Sequence, residues 1–65
     1  MAIGEQSLVK IGSIVFLTLE EQEDGGIAIV LGYNKRKNLY HVYRINVDDQ
    51  IWVEYWEMHV HWSPL

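Results

Sequence analysis

A chain of 65 residues without a cysteine has to hold its fold together by packing alone. Domains this short bury only ~60% of the surface their unfolded chains expose, and many compensate with disulfides or a bound metal. Disulfides and thiolate zinc sites are both excluded here. What the sequence offers instead is aromatic mass: three Trp, four Tyr and one Phe in a chain that is 49% hydrophobic. Each large aromatic removes ~150–250 Å² from water when buried. The length suits one domain over residues 1–65, with 1–8 read as a flexible N-terminal segment. Met1 to Leu8 has neither a basic start nor a long apolar stretch, so no signal peptide is expected. No apolar run approaches the ~20 residues that cross a bilayer, and a soluble, cytoplasmic protein is the expectation.

Glycine and proline set the punctuation. Gly stands at 4, 12, 25, 26 and 32, and the single Pro is Pro64. The middle of the chain is therefore free to form ladder hydrogen bonds. Ser13 to Leu19 is rich in β-branched and apolar residues and predicts a strand. The acidic run Glu20 to Asp24, closed by Gly25-Gly26, predicts an exposed loop. Strands follow over 27–33, with Gly32 marking a bulge or bend, and over 39–47. Asn34 and Asn38 bracket a tight hairpin turn, because Asn tolerates left-handed backbone angles. Asp48-Asp49-Gln50 predicts the next turn.

The segment from Ile51 to Trp62 fits two periods. With period two, Trp52, Trp56, Met58, Val60 and Trp62 share one face. With helical period, Ile51, Tyr55, Met58 and Trp62 line up. Val and the aromatics favour strands, and no helix C-cap is evident, so the reading is strands at 51–55 and 59–62 around a turn near Trp56 to Met58.

Several short stretches resemble the SH3-like barrel. Ile11-Gly12-Ser13-Ile14-Val15 resembles its first strand opening, and Gly26 with Ile27 to Leu31 resembles its glycine-led second strand. Ile51-Trp52-Val53 and Trp56-Glu57-Met58 resemble its closing strand, one-turn 3₁₀ helix and final strand. The resemblance implies an all-β, small five-stranded SH3-like barrel of the broad kind that includes KOW, Tudor and photosynthetic accessory domains. Signalling SH3 domains differ: Ser13 to Leu19 holds no Tyr, and Trp52 and Trp56 are separated where those domains carry adjacent tryptophans.

No catalytic constellation is present. The three serines, Ser7, Ser13 and Ser63, lie outside any nucleophile-elbow context, and no glycine-rich phosphate loop occurs. A non-enzymatic module without a cofactor is the expectation. His59 and His61 leave one face of a strand, and His41 on the long strand completes a candidate zinc set. The plainer reading is a polar strand face. The net charge of −4 opposes binding driven by counterion release from nucleic acid. Lys35-Arg36-Lys37 is a local basic tip, which leaves a nucleic-acid-associated module as the alternative.

The aromatics carry the stronger signal. A core of this size takes three or four of them, and the others are left for contact with a partner. The predicted partner-binding set is Trp52, Tyr55, Trp56, Tyr43 and Tyr33, with Glu21, Glu23 and Asp24 of the acidic loop. Trp and Tyr dominate interface energetics, and loop charge steers association. A protein partner, an accessory or subunit role in a larger complex, is the sharper expectation; a homodimer is the plainer one.

Overall fold

A computed structural model describes residues 9–18 and 26–64. Strands β1 (Ile14–Leu17), β2 (Ile27–Asn34), β3 (Leu39–Arg44) and β4 (Asp49–Val53) precede a 3₁₀ turn, Tyr55–Glu57, and strand β5 (Met58–Trp62). They form one antiparallel sheet in the order β4-β3-β2-β1-β5. Among the described residues β4 and β5 are its two edges, and no pairing between them closes the sheet. The acidic loop lies outside the described residues.

The period-two pattern decides the faces. Val15, Leu17, Ala28, Val30, Tyr40, Val42, Val53 and Met58 are buried and alternate with less buried neighbours along their strands. Cross-strand partners share a face, so the register carries the pattern across the sheet: Val15 faces Ala28, Val30 faces Val42, and Tyr40 faces Val53. Val9, just before β1, completes the cluster, and Ile51 packs against it. Gly12 has φ +98°, a backbone angle that a side chain resists, and its N–H donates to the Val30 carbonyl at 2.8 Å.

Two bulges redirect the strands. One falls between Val30 and Gly32, so Gly32 does mark a bulge as the sequence implied. The other lies opposite Ile14 and Val15: Val60 pairs with Val15 and Trp62 with Ile14, leaving His61 as the extra residue. That bulge breaks the single apolar face expected for β5. Met58 and Val60 share the core side with Leu17 and Val15, whereas Trp62 joins Ile14 on the outer side.

Segment 51–62 is strand, turn and strand, with no continuous helix. The third strand is shorter than its sequence suggests. It stops at Arg44, the turn occupies 45–48, and β4 begins at Asp49. The cause is local. Asp48 adopts a left-handed φ of 56°, its N–H donates to the Arg44 carbonyl at 2.9 Å, and Arg44 grips Asp49 across the hairpin.

Candidate functional site

The core takes far fewer rings than its size would permit. Tyr40, 2% exposed, is the only aromatic in the buried cluster among the described residues. Phe16, Tyr33, Trp52, Tyr55, Trp56 and Trp62 are all exposed, and Tyr43 is half-buried. The core is aliphatic because the inward positions of β1, β2 and β3 are mostly Val, Leu and Ala. The expectation of three or four core aromatics is corrected to one.

The exposed rings fall into separate groups. At the end of the β2–β3 hairpin, Tyr33 and Tyr40 are cross-strand partners with ring centroids 4.6 Å apart. Burial pushes the Tyr40 phenol above its ordinary value, and the nearby Tyr33 and Tyr55 phenols push it further. Three phenols thus gather where β2, β3 and the 3₁₀ turn meet. Trp56, 62% exposed, stands on the same turn, and its Nε1–H donates to Glu54 Oε1 at 2.6 Å. Glu57 closes the turn, and its carbonyl accepts from both the N–H and the Oγ1 of Thr18, at 2.8 and 3.3 Å. Thr18 is the residue that leads into the acidic stretch containing Glu21, Glu23 and Asp24, which lie outside the described residues. The aromatic turn and the root of the acidic loop are therefore tied together.

Trp52 and Tyr43 belong elsewhere. On the outer side of the sheet, Trp52 stacks on His41, centroids 4.6 Å apart and planes within 15°. The register also places Gln50, Tyr43, Ile29, Ile14 and Trp62 opposite one another, one from each strand, in a single outer row. Next to that row, Phe16 meets His61 edge-on at 5.1 Å. Tyr33 of β2 and Tyr55 of the 3₁₀ turn thus both lie near Tyr40, with Trp56 next to Tyr55 on that turn, whereas Trp52 and Tyr43 lie on the opposite side of the sheet.

The histidines do not converge. His59 and His61 are on β5, and His41 is on β3 with β1 and β2 in between. Three strand spacings amount to about 14 Å, too far for one metal ion. No group of three or more potential metal ligands occurs among the described residues.

One feature escaped the sequence reading: the two hairpins share one construction. Tyr33 donates its hydroxyl to Asn38 Oδ1 at 2.7 Å, and Tyr43 donates to Asp48 Oδ1 at 2.6 Å, five residues on in each case. Asn38 and Asp48 are left-handed, and each N–H reaches back to a carbonyl four residues earlier, Asn34 or Arg44. The detectable signal is a Tyr five residues ahead of an Asn or Asp, in Tyr33-Asn34-Lys35-Arg36-Lys37-Asn38 and Tyr43-Arg44-Ile45-Asn46-Val47-Asp48. Tyr33 and Tyr43 thus have a structural task besides any contact they make.

No described helix is long and apolar enough to cross a membrane. No family model, curated protein or solved structure matches this chain.

Proposed function

We propose that this chain is a non-enzymatic protein-interaction module, a small SH3-like barrel that serves as an accessory or subunit and docks on a larger protein partner. The observation that carries the reading is the composition of the 3₁₀ turn. Its two rings, Tyr55 and Trp56, are exposed beside Glu54 and Glu57, and the turn is bonded to the root of the acidic loop. A ring left in water by a domain with so little core has been given up by folding, and an aromatic beside carboxylates suits a partner segment carrying Lys or Arg. The acidic loop steers such a segment, and the rings supply the contact energy once water is excluded. The strand order, with β1 between β2 and β5 and a one-turn 3₁₀ helix before the last strand, supports the barrel reading.

The test is capture of the partner from lysate of the source cell by the tagged chain, compared with Tyr55→Ala/Trp56→Ala. A protein that is held at high salt and lost with the double substitution supports the proposal. Nucleic acid that is captured only at low salt and lost when Lys35, Arg36 and Lys37 are neutralised overturns it in favour of a nucleic-acid-associated role.

A further inference from the structure

The two edges of the sheet are built differently. An exposed edge strand presents unpaired backbone groups to any extended chain, and bulges, charge or proline blunt that template. The β5 edge is blunted by its bulge. Val60 and Trp62 pair with adjacent residues of β1 and leave His61 between them, so no regular run of outward groups spans that strand. The β4 edge is regular: its five residues pair with β3 without a shift, from Arg44–Asp49 to Tyr40–Val53. The direction of its backbone groups follows from the ladder. Ile45 N–H donates to the Ile27 carbonyl of β2, and Asp48 N–H donates to the Arg44 carbonyl. Alternation along β3 therefore turns Arg44, Val42 and Tyr40 toward β4. Asp49, Ile51 and Val53 bond inward, and the N–H and C=O of Gln50 and Trp52 point away from the sheet. The strand holds no Lys, Arg or Pro, and among the described residues no strand pairs with its outward side.

We infer that β4 receives an extended segment of a protein partner as a sixth, antiparallel strand, and that this segment carries Lys or Arg at both ends. The inference rests on the reading of the chain as a protein-interaction module and states how the partner is held. Charge selects the occupant. Asp48 and Asp49 stand at one end of the strand and Glu54 at the other. Asp49 is paired with Arg44. Asp48 and Glu54 accept from neutral groups, the Tyr43 hydroxyl and the Trp56 indole, which leave their negative charge in place. These residues disfavour a second copy. Two β4 strands paired antiparallel about Ile51, the register that uses Gln50 and Trp52 of both, set Asp48 opposite Glu54 twice, and like charges directly opposite destabilise a pair. A segment with a cation at each end meets a carboxylate at both places instead. Between the ends, Trp52 is 50% exposed and flanks the added strand on the outer face. Beyond Glu54 the same edge runs into the 3₁₀ turn with Tyr55 and Trp56, so the segment is continuous with the aromatic surface. Backbone bonds supply affinity in such a pairing, and the side chains at alternate positions supply selectivity.

The test is a titration of the ¹⁵N-labelled full chain with the peptide Lys-Val-Thr-Val-Thr-Val-Lys, up to about 1 mM, followed by amide shifts and hydrogen exchange. The Gln50 and Trp52 amides shift and exchange more slowly. The same peptide with Glu at both ends does not bind. Methylating the two Thr amides, which face β4 when the Lys residues meet Glu54 and Asp48, abolishes binding; methylating the central Val amide, which faces away, does not. Gln50→Pro removes one outward donor and no bond to β3, a place where an edge strand accepts proline, and weakens binding about tenfold or more, whereas Gln50→Ala binds like the parent. Should Gln50→Pro fail to fold, the methylated peptides decide the matter. No shift at Gln50 and Trp52, equal binding of the Glu-ended peptide, or indifference to Thr methylation overturns the inference. So do Gln50 and Trp52 shifts that follow protein concentration without peptide, which assign the edge to a second copy. Capture from lysate that is lost with Tyr55→Ala/Trp56→Ala but kept with Gln50→Pro leaves the interaction module standing and removes the sixth strand.

Discussion

The two hairpins are built alike and end in opposite chemistry. Tyr33–Asn38 and Tyr43–Asp48 use the same left-handed closing residue, the same backbone bond and the same phenol clasp. The first tip is Lys35-Arg36-Lys37, fully polar. The second is Ile45-Asn46-Val47, with both apolar side chains exposed. Among the described residues the first tip is held by bonds within its own hairpin, including Lys37 N–H to Asn34 Oδ1 at 3.0 Å. The second is tied to the sheet by Ile45 N–H to the Ile27 carbonyl at 3.1 Å and by the bidentate Arg44–Asp49 pair at 2.8 and 2.6 Å. Backbone geometry is thus set by the Tyr and the Asn or Asp, which leaves the three tip residues free to vary.

The largest effect expected on that comparison comes from the closing residues. Asn38→Ala and Asp48→Ala each force a Cβ-bearing residue without a local hydrogen bond into the left-handed region, costing about 1–2 kcal/mol. In a domain of this size a loss of 1 kcal/mol lowers Tm by roughly 4–8 °C. Asn38→Gly and Asp48→Gly keep the backbone and lose only the phenol contact, so they recover most of the loss. If the alanine variants melt like the parent, the shared construction does not hold the hairpins.

The pH limbs come next, and they separate the hairpins. The hydrogen bond to Asp48 raises the Tyr43 phenol pKa, as burial raises that of Tyr40. A raised folded pKa on an acid favours the protonated phenol. That stability is complete below the unfolded value near 10 and is lost as pH rises through the folded one. Tyr43→Phe should therefore flatten part of the alkaline unfolding limb in a denaturant titration. Asp49 moves the other way: its hydrogen bond to Arg44 lowers its pKa below the usual 3.8. Its contribution is present above that value and disappears as pH falls through the folded pKa. Arg44→Gln should remove this part of the acid limb. An unchanged limb in either variant would separate the phenol or the ion pair from hairpin stability.

The smallest expected effect is at the tips. Lys35→Ser, Arg36→Ser and Lys37→Ser together, or Ile45→Ser with Val47→Ser, should change stability by no more than about 0.5 kcal/mol per site. A larger loss from the second set would show that Ile45 and Val47 pack rather than cap.

Much of the sheet was legible in sequence because alternation of Val, Ile and Leu with bulkier or polar residues is a direct record of two faces. Gly32 marked its bulge, and Trp56-Glu57 marked the turn before the last strand. The end of the third strand was not legible, since Ile45 and Val47 continue the β-branched alternation and only Asp48, bonded to Tyr43, stops it. The candidate site was half legible. Tyr55 and Trp56 are neighbours in sequence, but the approach of Tyr55 and Tyr33 to Tyr40 depends on the fold, and the separation of Trp52 depends on which side of β4 it leaves. The three histidines looked like a set for the opposite reason: spacing along the chain does not report that two strands lie between β3 and β5.

The measurement that bears most directly on the account is a paired one on Tyr55→Ala/Trp56→Ala. These rings are held to be surplus to the core and committed to a partner. The account predicts a Tm within about 2 °C of the parent, as for surface changes, together with loss of the protein the parent retains at high salt. A drop in Tm of the size expected for a core residue, or undiminished capture, would contradict it.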